Sequence, residues 1–279
     1  MSRSSRNKTG GGSSALRQAA CQSYQCGLNG VSQGYTRSER DAYMITVSSK
    51  QRERILRWSV VGFVIYALFN VLAMVFYPGG TSLDYDRVGY SFLENFFSDL
   101  GMIRTYSGEP NTLSLWLFAS ALVLVGIVLI IFFSILMSYF NESKLERNSS
   151  RIGSIAGILA GIACVGIAST PWDLYLNIHL IFVFVLSFAL LIVLISYSIA
   201  ILTSKPYPNL YAWVFIAYAF LLTVYIAVMM AGPDIETTSG LRILAAGQKI
   251  IIYSGMLCLC VQVLGAFHYN KRIGQKQAP

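Results

Sequence analysis

Leu122 to Ile130 reads LVLVGIVLI, nine consecutive residues without a polar or charged side chain. The strands of a membrane barrel alternate apolar and polar residues, whereas this run does not alternate. It lies in a longer uncharged stretch that exceeds the roughly 20 helical residues needed to cross a hydrocarbon core. The run therefore predicts a transmembrane helix.

Five further stretches have the same character. Of the 279 residues 55% are hydrophobic and only 12% are charged, about half the charged share of a soluble domain. The composition excludes an ordinary soluble protein and predicts an all-α integral membrane bundle of six transmembrane helices within residues 58–267. The predicted spans are Trp58 to Tyr77, Leu113 to Phe140, Ile152 to Thr170, Leu174 to Thr203, Leu210 to Ala231 and Ile250 to Phe267.

The two ends of the chain are polar. Residues 1–43 contain almost no aliphatic side chains, and such a composition predicts a disordered tail. One interpretation is that Met44 is the natural start. Residues 44–57 and 268–279 are predicted to be basic cytoplasmic segments.

The distribution of basic residues predicts the orientation. Of the 21 Lys and Arg residues, 17 fall on the side of the termini and 4 on the other side. Because basic loops stay in the cytoplasm, we expect both termini to be cytoplasmic in a multi-pass protein of the plasma membrane. We expect membrane lipids as partners and no nucleic acid. A second copy of the chain or another membrane protein stays open as a further partner.

The first outer loop contains apolar residues at helical spacing. This pattern predicts a short amphipathic interfacial helix, with a capping box formed by Ser91 and Glu94 and with Gly101 as the left-handed residue that ends it. The apolar face consists of Phe92, Leu93, Phe96, Phe97 and Leu100.

Several polar residues lie where a lipid environment makes them costly. Lys249 is expected about 7 Å from the midplane of the sixth span, where it either extends to the surface or pairs with a carboxylate such as Asp99. His179 lies about two turns inside the fourth span. It is expected either to form an interhelical hydrogen bond or to bind a ligand or handle a proton. The candidate catalytic residues are Asp99, His179 and Lys249, and the candidate binding residues are Ser98, Glu94, Asn95, Asn177 and Gln248.

Other features have structural interpretations. Gly153, Gly157 and Gly161 repeat every four residues and predict a central, closely packed third helix. Asp173 follows Thr170-Pro171 and is interpreted as part of a helix start. The cysteines lack metal-ligand spacing, so no disulfide, metal or cofactor is expected.

The residues from Glu94 to Gly101, ENFFSDLG, together with Thr170-Pro171, His179 and Gly247-Gln248-Lys249, resemble the family known as domain of unknown function 998. The resemblance covers about Trp58 to Phe267 and implies a prokaryotic six-helix membrane protein. Its loop element is similar to that of the Frag, DRAM and Sfk group, which implies lipid remodelling or distribution. Lys249 stands where the resemblance implies arginine, which keeps the charge but removes the bidentate geometry.

Three functions are open on these residues. The first is a lipid-handling or lipid-modifying protein with a polar site in the outer-leaflet half of the bundle, in which a basic group holds a phosphate and other groups move protons. The second is a non-catalytic scaffold or sensor. The third is a small-solute or proton-coupled transporter, although no pair of interrupted spans marks a midplane site. The sequence leaves open whether the protein is an enzyme.

Overall fold

A computed structural model of the protein describes residues 48–276, with side chains through residue 272. The predicted tail 1–43 lies outside the described residues. Within these described residues six helices are long and apolar enough to cross a membrane, which confirms the predicted all-α bundle. They are α1 (Ser49–Val75), α2 (Thr112–Leu136), α3 (Lys144–Ser169), α4 (Trp172–Thr203), α5 (Leu210–Ala231) and α6 (Thr238–Lys276).

Three helices are longer than their apolar runs. α1 begins at Ser49, α3 at Lys144 and α6 at Thr238, because a helix can continue through polar residues once its ends leave the hydrocarbon. The bundle therefore has two distinguishable ends. We call the end that carries residues 76–111 the loop end, and the opposite end, where α1 begins and α6 ends, the terminal end.

α3 is a central helix, as its glycine ridge predicts. It packs against α2 and α4, the two most extensive helix pairs in the described chain. A Cβ atom on Gly161 would lie 2.5 Å from the Gly126 carbonyl oxygen of α2. Side chains larger than hydrogen are thus excluded where the two backbones meet.

Residues 76–111 form a folded cover over the loop end. Two isolated β-bridges, Gly79 with Val88 and Arg104 with Pro110, shape its turns. A short 3₁₀ helix, Phe97–Gly101, packs against α2, α4 and α6. We call residues 76–111 the cover loop.

The predicted amphipathic interfacial helix is wrong in this loop. Residues 91–95 form a turn, and the 3₁₀ helix contains five residues. The expected polar face is partly turned inward, since Ser91 and Asn95 are buried, whereas Phe92 and Leu93 of the expected apolar face are half exposed. Asp99, expected at the edge of the apolar face, is buried as well. The side chains of Asn95 and Asp99 bond backbone groups of the loop, which replaces the hydrogen bonds of a regular helix.

Gly101 also has a different role from the predicted one. It is absent from the glycines with positive φ, and a Cβ atom there would lie 2.9 Å from the Phe118 ring. Gly101 is therefore required for close contact between the 3₁₀ helix and α2 and does not end a helix in the left-handed conformation.

Candidate functional site

Asn95 is the centre of the cover loop. Its Oδ1 accepts a hydrogen bond from the Ser91 amide (2.8 Å), and its Nδ2 donates to the Gly80 carbonyl (2.9 Å) and to Asp99 Oδ2 (3.0 Å). The side chain is fully buried. Its hydrogen bonds connect three separate parts of the loop, so Asn95 fixes the loop conformation.

Lys249 of α6 contacts the cover loop from inside the bundle. Its side chain is 1% exposed, so it does not extend to the surface. Nζ donates hydrogen bonds to the carbonyl oxygens of Asn95 and Ala245. The rings of Tyr90 and Phe92 flank it, with centroids 5.4 and 5.3 Å from Nζ. Carbonyl dipoles and ring faces therefore stabilise this ammonium.

Asp99 is buried without an ion pair. Its Oδ2 accepts hydrogen bonds from Asn95 Nδ2 and from the Phe96 amide (2.8 Å), whereas Oδ1 has no partner among the described residues. Burial raises the pKa of Asp99 to about 7, although its hydrogen bonds and the nearby charge of Lys249 oppose the shift. The Trp172 indole also lowers the pKa of Asp99, although its Nε1 forms no hydrogen bond with any described residue.

The expected ion pair between Asp99 and Lys249 is wrong. Within residues 48–276 the two side chains form no contact of 4 Å or less between charged atoms. Asn95 separates them, because its side chain bonds Asp99 while its carbonyl accepts from Lys249. The two charges influence each other without direct contact.

Glu94 joins the cover loop to α6 at the surface. Its Oε1 accepts from Arg242 Nε (3.0 Å) and Nη2 (2.7 Å), and its Oε2 lies 3.3 Å from Arg87 Nη1. Both arginines are exposed, so these pairs contribute little to stability. Glu94 therefore connects the cover loop to α6 at the protein surface.

Asp173 and Asn177 lie outside this cluster. Asp173 Oδ2 accepts from the amides of Ile103 (3.0 Å) and Arg104 (3.2 Å). Its role is structural, as predicted, but it attaches α4 to the cover loop. Asn177 is exposed on α4, and the structure does not bring it to the other candidate residues.

An apolar cavity of about 200 Å³ lies inside the bundle beneath the cover loop, lined by all six helices and the 3₁₀ helix. Its wall contains Ser98, His179 and Gln248, which all come from the loop-end part of their elements. The remaining wall is mainly aliphatic and aromatic, with Leu194 and Leu259 further toward the terminal end. The amide and imidazole groups of the wall therefore lie near the loop end, whereas the rest of the wall is mainly apolar, with Tyr66, Tyr218 and Ser187 as further polar residues.

The hydrogen bonds of His179 and Gln248 determine which donors and acceptors of the polar wall are available to a ligand. His179 Nδ1 lies 2.7 Å from the Thr170 carbonyl oxygen; since that oxygen only accepts, Nδ1 carries the proton. In the neutral ring Nε2 is then an acceptor, and it has no partner in the described chain. Gln248 Oε1 accepts from the Phe97 amide (2.6 Å), which leaves its Nε2 as a donor.

The structure thus divides the candidate residues into two groups. Ser98, His179 and Gln248 share the cavity wall. Asp99, Asn95, Glu94 and Lys249 hold the cover loop in place instead. Of the three candidate catalytic residues, His179 lines the cavity, whereas Asp99 and Lys249 do not. Their catalytic role stays a prediction.

Sequence reasoning missed several residues of the cover. Asn111 Nδ2 donates to the carbonyls of Leu100 (3.0 Å) and Met102 (2.9 Å), and Ser114 Oγ donates to Leu100 (3.3 Å). An asparagine directly before an apolar span is a weak signal of such a contact. Trp172 and Arg242 carried no signal that distinguishes them from ordinary interface residues.

The fold and the cavity define a multi-pass helical membrane protein with a cavity between its helices, beneath the cover loop. The family described as "Protein of unknown function (DUF998)" matches residues 83–262, from the cover loop to α6. The chain belongs to this family, which confirms the resemblance given above. No curated protein and no solved structure matches the chain.

Proposed function

We propose that this protein handles lipids by binding an amphiphilic membrane lipid in the cavity under the cover loop. The observation that carries the proposal is the distribution of polarity along the cavity wall, with Ser98, His179 and Gln248 grouped near one end. The apolar part of the wall suits an acyl chain of the lipid, and the grouped hydrogen-bonding side chains suit the polar end of the lipid.

The wall also indicates the chemistry of the lipid. No lysine or arginine lines the cavity within the described residues, because Lys249 is turned to the carbonyl oxygens of Asn95 in the cover loop and Ala245 in its own helix. Ser98 and Gln248 supply donors and His179 Nε2 supplies an acceptor. The site therefore favours an uncharged hydroxyl or ester group over a phosphate. An acceptor facing such a group is also the arrangement that proton transfer requires.

Native mass spectrometry of the purified full chain tests the proposal. The cavity-filling variant Ser187→Phe should lose retained lipid, since Ser187 lines the cavity. The matched control is Ser134→Phe on the exposed face of α2. Both serines donate only to the carbonyl four residues earlier in their own helix, Val183 and Ile130 respectively. The two substitutions thus remove the same kind of hydrogen bond.

The wild type and Ser134→Phe should retain lipid. Equal retention by the two variants would place the lipid elsewhere and contradict the proposal. A wild type without bound lipid would also contradict it and would favour a scaffold or sensor.

The charge distribution supports an orientation as part of the same proposal. Within the described chain the terminal end carries basic residues in the first turns of α1 and α3 and near the end of α6, namely Lys50, Arg52, Arg54, Arg57, Lys144, Arg147, Arg151, Lys271 and Arg272. With these residues in the cytoplasm, the protein lies in the plasma membrane and the polar end of the cavity faces the outer leaflet.

A further inference from the structure

A second depression lies on the outside of the bundle, between α1 and α2. It has a volume of about 390 Å³ and shares no residue with the internal cavity. Its floor is apolar and includes Val61, Ile65, Val128 and Ile131. Arg54 is its one charged lining residue among those described. We call this depression the α1/α2 groove.

The length of the groove matches one leaflet. Arg54 and Ile65 lie eleven residues apart on α1, which is about 16 Å of helix. Half of a hydrocarbon core is about 15 Å thick. The groove therefore extends from a cation at the terminal end to about the middle of the bilayer.

Arg54 differs from its neighbours on α1 in having no protein partner within the described chain. The Arg52 guanidinium lies over the Tyr139 ring, 5.5 Å from its centroid. Arg57 pairs with Glu53 and lies over Phe267. The guanidinium of Arg54 thus remains available for a ligand.

Trp58 lies one turn further along the groove and is 66% exposed. Indole rings favour the boundary between headgroups and acyl chains. A cation, an interfacial ring and an apolar floor follow one another in the order of an anionic phospholipid, whose phosphate precedes its glycerol and acyl chains.

We propose that the α1/α2 groove is a specific site for an anionic phospholipid of the leaflet at the terminal end. The Arg54 guanidinium binds the phosphate through charge-assisted hydrogen bonds, and one acyl chain lies along Val61, Ile65 and Val128. A second copy of the chain is a poorer occupant, because a twofold contact through this groove brings two Arg54 side chains together without counter-charges.

The experiment titrates the delipidated full chain with phosphatidylglycerol or phosphatidylcholine of identical acyl chains and measures binding by native mass spectrometry. Wild type should bind phosphatidylglycerol more tightly. Arg54→Gln should weaken this binding by about tenfold, the loss expected for one charge-assisted contact. The matched control is Arg151→Gln, an exposed arginine at the same end on α3, which should keep wild-type affinity.

Equal losses in the two arginine variants, or none in Arg54→Gln, would overturn the proposal, since binding would then follow overall charge. A second pair of variants tests the groove floor. Val61→Phe fills the groove and should weaken binding of both lipids, whereas Val64→Phe, an exposed valine outside the groove lining, should not. Equal binding by the two valine variants would exclude the groove as the site.

The two lipid proposals can fail separately. Arg54→Gln should leave lipid retention in the internal cavity unchanged, and Ser187→Phe should leave the preference for phosphatidylglycerol unchanged. A Ser187→Phe variant that loses both would assign the two signals to one site and overturn the groove proposal.

Discussion

Asn95 and Lys249 show how a buried charge is stabilised here without a counter-charge. The carbonyl oxygen of Asn95 accepts from Lys249, and the side chain of the same residue holds Asp99. The charge of Asp99 is therefore not needed to satisfy Lys249. Asp99 is left with one unbonded oxygen in a buried position, which favours its protonated form.

The stability of the protein should therefore depend on the ionisation of Asp99. Its pKa is about 7 in the folded chain, against an ordinary value of 3.8. Between these values the folded state keeps a proton that the unfolded state has lost. Raising the pH from about 4 to about 7 should thus lower the free energy of unfolding. Thermal melting of wild type and Asp99→Asn from pH 5 to pH 8 measures this difference.

Wild type should gain stability relative to Asp99→Asn as the pH falls toward 5, because the variant has no proton to bind at this position. The groups near Asp99 that also carry or shift charge are Lys249, Tyr77, Tyr90 and Tyr106. Burial raises the pKa of each of these three tyrosines further above its ordinary range, so they stay neutral in this interval. Parallel melting curves for the two proteins would contradict the prediction.

His179 has two nitrogen atoms with separate tasks, and two substitutions separate them. His179→Asn places an N–H near the Thr170 carbonyl but removes the acceptor that faces the cavity. We expect a melting temperature near that of wild type and a loss of retained lipid, measured by native mass spectrometry.

The reverse result is expected for His179→Gln, whose longer amide reaches the position of Nε2 and gives up the bond to Thr170. Stability should fall by about 1 kcal/mol, the usual contribution of one hydrogen bond, while lipid is retained. If both variants only lose stability, His179 has a purely structural role.

At the scale of elements, a methyl group added at a glycine should be tolerated less well between α2 and α3 than between α5 and α6. Gly161→Ala would place Cβ 2.5 Å from the Gly126 carbonyl oxygen and 2.7 Å from an Ile130 side-chain carbon. The backbone oxygen cannot move aside without displacing the helix.

Gly247→Ala is the matched comparison, because its Cβ would lie 3.0 Å from the edge of the Tyr225 ring, which a side-chain rotation relieves. Gly161→Ala should therefore destabilise the bundle by about 1 to 3 kcal/mol more than Gly247→Ala, within the usual range for overpacking. Thermal melting in detergent measures the difference. Equal melting temperatures would show that α2 and α3 can separate without loss.

The sequence predicted elements whose signal is local. α2, α4 and α5 begin and end within a few residues of their apolar runs, because length and hydropathy alone determine such helices. The glycine ridge of α3 also predicted correctly that this helix is central and closely packed. The cover loop was not predictable in this way, since Asn95 and Asp99 take their places through bonds to Gly80, Ser91 and Phe96.

Across the whole molecule, the site was only partly predictable for a related reason. Ser98, His179 and Gln248 belong to three elements distant in sequence, and their meeting depends on the rotation of α4 and α6 about their axes. Spacing along the chain does not determine that rotation. Lys249 directly follows Gln248 on α6, yet it bonds the Asn95 carbonyl of the cover loop and does not line the cavity. Gln248 both accepts from the Phe97 amide of the loop and lines the cavity, whereas Lys249, one step further along the helix, only holds the loop.

The orientation of the molecule determines which leaflet supplies each proposed lipid, and it can be tested directly. Because 17 of the 21 basic residues fall on the side of the termini in the sequence, the terminal end should face the cytoplasm. Single cysteines are placed at Ser107 in the cover loop or at Lys205 between α4 and α5, in a chain whose native cysteines are replaced. Both positions are exposed, so labelling reports the side of the membrane and not burial.

An impermeant thiol reagent should label Ser107→Cys in intact cells, and it should label Lys205→Cys only after the membrane is opened. The cysteine-free chain is the control for background labelling. The opposite pattern would put the terminal end outside. The internal cavity would then draw its lipid from the inner leaflet and the α1/α2 groove from the outer leaflet, with Arg54 exposed to few of the anionic headgroups that are concentrated on the cytoplasmic side.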